Sequence, residues 1–339
     1  MQRRLFLAAA AASSAHAAPR RVRIAFLGGS HSHGFAKARI VSESPDWDLA
    51  GVCEEDPGLR RKYEEARIPL ISAADALAAG VEVVAIESAV KDHYSQCRAA
   101  LEARKHVHVE KPPADTMEGM RELVKLAGRH GRLLQSGYMW RYHPGVNRVI
   151  EAVRQGWLGD VYLVRGVIDT AVGPEARLQN AAFRGGMMFE LGSHMIDSIV
   201  RMMGRPDRVT PFLKRTGASA DTLADNTLAV FEYPRALAMV QSATPRLNSG
   251  SHRRLEVCGT RGNAIIQPME PPRLTIELAE AAGPYQKGVQ SVTLPPYQRY
   301  VDDLRELAAA VRGEGKLTVS LEGELLVQET LLRACGVIA

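Results

Sequence analysis

The sequence predicts an α/β chain: a doubly wound parallel sheet, then an α+β domain with a mostly antiparallel open sheet. Three observations carry this. Apolar, β-branched runs alternate with helical stretches from residue 21 to residue 138, the order that builds a parallel sheet covered on both faces. The first run opens into Gly28-Gly29-Ser30-His31-Ser32-His33-Gly34, a strand, a glycine turn and then a helix. From Gly145 the texture changes to alternating strands joined by short turns such as Tyr233-Pro234-Arg235.

Residues 21–27 (RVRIAFL) read as the first strand, with a helix starting near Phe35. That arrangement sets a pyrophosphate on a helix N-terminus, where free N–H groups and the helix dipole favour an anion. Gly28, Gly29, Ser30, His31 and His33 are the loop residues expected at a dinucleotide. Ser30 and His33 stand where a strict G-x-G-x-x-G has glycine. His31 and His33 have the spacing of a metal pair, but no carboxylate or cysteine follows at ligand spacing, so no metal is expected. A second strand over residues 47–53 ends at Glu54, where an acid accepts hydrogen bonds from ribose hydroxyls and repels a 2′-phosphate. This favours NAD over NADP, with Glu55 and Asp56 as competing carboxylates. Helices over 58–66 and 73–79, a buried strand over 81–86, and a helix over 93–104 capped by Asp92 follow.

Residues 105–113 (KHVHVEKPP) read as a short strand stopped by Pro112 and Pro113, where a strand cannot continue. Glu110 and Lys111 therefore sit at a strand's carboxyl end, the place where open α/β sheets bind ligands. A lysine fixed there can meet a nicotinamide ring and a substrate hydroxyl at once; a solvated Glu–Lys pair before a turn is the alternative. A helix over 117–131 and a strand over 132–138 complete a first domain placed at 20–142.

In the second domain, 143–339, a helix over 146–155 precedes strands over 161–169, 226–233, 236–243, 254–258 and 263–267. Helices over 300–312 and 321–335 close it. Between them lies Gly185-Gly186-Met187-Met188-Phe189-Glu190-Leu191-Gly192-Ser193-His194-Met195-Ile196-Asp197. On a helix, Glu190 and His194 face the same way, and Asp197 follows one turn on. A carboxylate so placed fixes the tautomer of a histidine and suits it to act as a general base. A histidine satisfied at a helix surface is the alternative.

With 46% hydrophobic and 24% charged residues and a net charge of +5 over 339 residues, the composition is that of an ordinary soluble protein. No block of Lys and Arg marks a nucleic-acid surface. Arg3-Arg4-Leu5-Phe6-Leu7, an apolar run to Ala12 too short to span a bilayer, and Ala15-His16-Ala17 read as a twin-arginine signal over residues 1–17. The expectation is cleavage near Ala17, export by the twin-arginine (Tat) machinery to the periplasm or beyond, and no membrane span. Cys53, Cys97, Cys258 and Cys335 lie far apart in apolar runs, without C-x-x-C spacing, and are expected to be free buried thiols.

Taken in order, these segments resemble the Gfo/Idh/MocA family of NAD(P)-dependent oxidoreductases, which includes glucose-fructose oxidoreductase and inositol dehydrogenase. The matching stretches are the glycine loop, Glu54, Ile86-Glu87-Ser88-Ala89-Val90-Lys91-Asp92-His93, the 105–112 motif, Gly137 to Arg141 with His143-Pro144, Gly185 to Asp197, and Glu256 to Gly262. The resemblance implies a Rossmann domain, Lys111 beside the nicotinamide, and His194 as acid/base oriented by Glu190. It also implies Ser88, His93 and Glu110 at the cofactor, and Arg141, His143, Arg184 and Asp197 at a sugar-like substrate. An open sheet face is implied as a homo-oligomer contact. The sequence departs from the family pattern at Ser30 and His33, at Glu190 where Asp is usual, and at Ala89 where proline is usual.

The expected reaction is hydride transfer from a secondary hydroxyl of a carbohydrate or polyol to tightly bound NAD. Two other readings stand beside it, the first of them drawn from export without a free NAD pool. One is a redox-neutral glycosidase or lyase working through transient oxidation of a sugar; the other is a non-catalytic NAD-binding protein.

Overall fold

The chain is described by a computed structural model covering residues 19–217 and 220–339. The signal expected over residues 1–17 lies outside the described residues. β1 (Val22–Leu27) is buried at all but one position, as its unbroken apolar run requires in a sheet covered on both faces. It pairs in parallel with β2 (Trp47–Cys53) on one side and β3 (Val83–Ile86) on the other; β4 (His106–Val109) and β5 (Leu134–Ser136) extend the sheet beyond β3. Five helices make the crossovers: α1 (Gly34–Glu43), α2 (Pro57–Glu65), α3 (Ala73–Ala76), α4 (Val90–Glu102) and α5 (Met117–His130). Because β2 and β3 flank β1 on opposite sides, the winding reverses there and opens a crevice beyond the carboxyl ends of β1 and β3.

Two helix starts differ from expectation. Asp56 caps α2, its carboxylate accepting the Leu59 N–H at 2.8 Å, and Pro57 takes the first helical position. The α4 helix begins at Val90 with Ala89 as its cap, so Asp92 lies inside the first turn, where a carboxylate still favours the dipole.

A 3₁₀ turn (Met139–Tyr142) leads into α6 (Pro144–Arg154). The second sheet then runs through β6 (Val161–Val167), β7 (Arg208–Lys214), β8 (Asn226–Tyr233), β9 (Ala236–Ala243), β10 (Arg254–Gly259), β11 (Gly262–Ile266), β12 (Leu274–Leu278) and β13 (Gly288–Val292). Its strand order is β13-β12-β11-β10-β6-β9-β8-β7, antiparallel except where β6 meets β9. Between β6 and β7 come α7 (Pro174–Ala181), a π-helical turn (Met188–Gly192) and α8 (Ser193–Met203). A short α9 (Ser249–His252) precedes β10, and α10 (Val301–Val311) and α11 (Leu321–Ala334) end the fold.

Strands β7, β12 and β13 and helices α7 and α9 are additions to the sequence reading. β7 carries Pro211, tolerable because it is an edge strand, and β13, the other edge, buries none of its residues fully. Alternate residues of the sheet, such as Ala238 and Val240, are fully buried. The opposite face leaves Phe212, Leu237, Ile265 and Val289 exposed. All four cysteines are free, three of them buried and Cys53 partly exposed. Among the described residues no helix is long and apolar enough to cross a membrane.

Candidate active site

The crevice is walled first by the glycine loop. Gly28 has φ +77°, and a Cβ there would lie 2.5 Å from the Ser88 Cβ; one on Gly29 would lie 2.5 Å from the Tyr63 hydroxyl. Neither position has room for a side chain. Glu54 folds back onto the turn: one carboxylate oxygen accepts the Gly29 N–H at 2.8 Å, the other accepts the N–H groups of Glu55 and Asp56 at 2.9 Å each. Asp56 is committed to capping α2, so Glu54 is the acid that faces the loop. A side-chain-free turn at a helix N-terminus beside a buried carboxylate is a donor and acceptor set that fits a dinucleotide, with residues 28–34 and Glu54 as its holders.

Beneath the loop lies a buried charge network that the sequence reading did not find. Lys37, on α1 and fully buried, donates to Glu87 Oε1 at 2.7 Å, to Glu110 Oε1 at 2.5 Å and to His108 Nε2 at 2.9 Å. Burial alone would raise the Glu110 carboxyl, but Lys37 and then His33 hold it well below its ordinary range. Burial raises Glu87 to about 8, against the pull of Lys37. The legible signal was position: Gly34, Lys37, Ala38 and Val41 form the buried stripe of α1, and a lysine in that stripe needs buried partners.

Lys111, 1% exposed, places its Nζ 2.7 Å from both the main-chain oxygen and the carboxylate of Glu190. The expectation that Glu190 orients His194 is therefore corrected. The π-helical turn shifts the chain between them, so the four-residue spacing no longer stacks the two side chains, and Glu190 turns to Lys111 instead. His194 is buried between Tyr138 and Trp140, at ring-centroid distances of 5.9 and 5.8 Å, and its Nδ1 has no partner among the described atoms. Burial, reinforced by the Lys111 charge, holds its imidazole well below the usual range and so keeps it neutral.

Six other expected site residues are placed elsewhere or already engaged. Arg141 is 2% exposed and spends its guanidinium on Glu324, at 2.6 and 2.9 Å, and on Asp197, at 2.9 Å. His143 caps α6 through Nδ1 and lies 2.8 Å from the Met269 carbonyl through Nε2. Arg184 is exposed, its guanidinium 3.7 Å from where a Cβ on Gly336 would stand. At the cofactor side, His93 is fully buried with its ring nitrogens 2.9 and 3.1 Å from the carbonyls of Pro112 and Ser88. It clamps the β3 and β4 loops together, and Ser88 donates its hydroxyl to Gln96 at 2.7 Å. The carboxylate missing at metal spacing does arrive, from the residue after β4: ligand atoms of His31, His33 and Glu110 lie within 4.8 Å of one another. Lys37 holds that carboxylate as an ion pair.

Residues 22–138 match the oxidoreductase family model with an NAD-binding Rossmann fold, and residues 146–265 match the GFO/IDH/MocA C-terminal domain. The chain belongs to the Gfo/Idh/MocA oxidoreductase family. It is similar to the D-glucoside 3-dehydrogenase of Escherichia coli (strain K12), 30% identical over 196 residues, a match spanning 55% of each chain. The chain thus spans about half the length of that relative. The uncharacterized oxidoreductase YdgJ of the same organism is 24% identical across 93% of this chain and 85% of its own. Among solved structures, GenD2 from gentamicin A biosynthesis in complex with NAD superposes with a TM-score of 0.79 at 21% identity, covering 95% of this chain and 96% of that one. The UDP-N-acetylglucosamine 3-dehydrogenase GnnA from Acidithiobacillus ferrooxidans does so at 0.78 and 19%, covering 94% and 98%. At these identities the likeness carries the fold.

Proposed function

We propose that this family member oxidises a secondary hydroxyl of a carbohydrate or polyol, using NAD as hydride acceptor, with Lys111 and His194 at the reacting oxygen. The observation that carries the reading is the buried cluster at the end of β4. There a lysine at the strand terminus meets Glu190, on the turn that leads into the helix bearing a neutral histidine. His194 takes the hydroxyl proton; the Lys111 ammonium donates to the same oxygen and stabilises the charge it develops. Glu190 holds Lys111 in place. Bound nicotinamide supplies the hydride acceptor. Names of relatives that act on glucosides, inositols and UDP-N-acetylglucosamine support a sugar-like substrate.

The preference for NAD rests on Glu54, whose carboxylate would repel a 2′-phosphate, and export rests on Arg3-Arg4 and Ala15-His16-Ala17. Proteins exported folded carry their cofactor with them. Protein recovered from outside the cytoplasm should therefore begin after Ala17 and release NAD(H) on acid denaturation. Glu54→Ala should shift the ratio of NAD to NADP affinity toward NADP, read by calorimetry. Release of NADP, or tighter NADP binding by the wild type, would sink this assignment.

The exposed sheet face is read as the seat of a second copy of the chain. Phe212, Leu237, Ile265 and Val289 give it apolar contacts spread over four strands. Light scattering should find an oligomer that Leu237→Glu and Val289→Glu together convert to monomer. A wild-type monomer at tens of micromolar would refute it.

A further inference from the structure

The glycine loop and the end of β4 bring together three side chains with the donor chemistry of a metal centre. His31 and His33 stand two apart on the turn, and Glu110 meets them from 77 residues beyond His33. One ligand atom from each lies within 4.8 Å of the other two. Zinc bonds of about 2.0–2.1 Å set the corners of a tetrahedron about 3.3 Å apart, so small side-chain rotations close this cluster on an ion. Two imidazoles and a carboxylate, with a fourth corner left to water, are a donor set that zinc takes.

The backbone that carries the two histidines is already fixed. The His31 N–H donates to the Glu87 carbonyl at 2.9 Å, the Gly34 N–H to the His31 carbonyl at 2.9 Å, and the Lys37 N–H to the His33 carbonyl at 3.0 Å. The two rings meet edge to face at 4.7 Å, and the His33 ring lies 5.1 Å from that of Tyr300. Glu110 is fully buried and both histidines are half-buried, so the cluster has a protein floor and an imidazole rim that an ion can reach.

The lone pairs are there to bind it. His31 Nδ1 spends its own on a long bond, 3.3 Å from the His33 main-chain N–H. His33 Nδ1 lies 2.9 Å from Glu110 Oε1, and an ion there takes the place of the shared proton while the ring N–H moves to Nε2. Lys37 also donates to Oε1, at 2.5 Å, and the Lys111 main-chain N–H to Oε2, at 3.2 Å. Of the roughly four lone-pair sites of the carboxylate these bonds take three, and the ion replaces one of them. A carboxylate hydrogen-bonded from behind is the ordinary state of a metal ligand. The Lys37 charge is itself shared with Glu87 at 2.7 Å, which offsets its repulsion of a cation.

We propose that His31, His33 and Glu110 form a zinc site in the nucleotide-free protein, with water at the fourth position. The site takes no residue from the Lys111–His194 pair, so it stands or falls apart from the reading of the reaction. The histidine pair was visible in the sequence; its third ligand was not, because the parallel sheet alone brings the end of β4 to the turn after β1.

Two measurements test this on mature protein that carries no affinity tag and has been freed of nucleotide and treated with chelator. Calorimetry should find a single equivalent of Zn²⁺ bound. His31→Ala and His33→Ala, both on a half-buried turn and outside the packed core, should each weaken binding by about 10²-fold or more, since even loss of an outer partner costs 10–100-fold. Co²⁺ in place of zinc should give the intense visible absorption of a four-coordinate centre, and His33→Ala should abolish it. No Zn²⁺ bound by wild type, undiminished affinity in both histidine variants, or the pale spectrum of six-coordinate Co²⁺ would each overturn the site.

Discussion

Lys111→Ala and His194→Ala should each lower turnover by about 10²-fold or more, the usual cost of a lost acid/base or oxyanion donor. Both groups are assigned to an oxygen whose charge is larger in the transition state than in bound substrate, so kcat should fall more than KM rises. NAD affinity should change little, because the pyrophosphate and the adenosine ribose are assigned to the glycine loop and Glu54, away from the end of β4. Glu190→Gln should cost less and act through Lys111, whose partner it is at 2.7 Å. Burial and the Lys111 charge hold His194 below the ordinary imidazole range, so the base is already unprotonated at neutral pH. The acid limb of kcat/KM should accordingly fall below pH 6.5, the ordinary imidazole value, and Lys111→Met should move it upward. Steady-state rates on one sugar, with calorimetry for NAD, decide the matter. Near-wild-type turnover in either alanine variant would remove that residue from the site.

How much of this was legible in the sequence follows from which interactions are local. The prolines after Lys111 end β4 where they stand, and the alternation of apolar runs with helical ones sets a parallel sheet whose carboxyl ends share one crevice. Glu54 was legible for the same reason: it is fixed by its distance from the glycine loop and by the strand between them. The relation of Glu190 to His194 was misread because a four-residue spacing implies contact only in a regular α-helix, and the π-helical turn at Met188–Gly192 breaks that period. Lys37 was missed although its stripe position was visible, because its partners Glu87 and Glu110 come from β3 and β4, 50 and 73 residues away. His143 was read with the substrate residues; its capping role depends on α6 beginning at Pro144, and its second bond on Met269, 126 residues on.

The largest stability loss should come from Arg141, which was read from sequence as a substrate contact. Its guanidinium joins the 3₁₀ turn after β5 to Asp197 on α8 and Glu324 on α11, and Glu324 also accepts the Ser136 N–H at 3.1 Å and its hydroxyl at 2.8 Å. The three charged side chains are each 1–2% exposed. Two carboxylates converge on one cation, so removing the cation strands both in a place that water does not reach. Breaking a buried pair in this way costs about 3–5 kcal/mol, far more than loss of a surface pair, because the desolvation of the remaining charge is no longer offset. Arg141→Met should therefore lower stability by about 3–5 kcal/mol in a urea titration. Arg141→Lys, which keeps the charge but cannot bridge both acids with a planar fork, should fall between the two. Arg141→Met combined with Asp197→Asn and Glu324→Gln should recover part of the loss, since no charge is then left buried alone. If Arg141→Met unfolds at the wild-type midpoint and instead raises KM for the sugar, the guanidinium faces substrate in the working enzyme and the sequence reading of this residue stands.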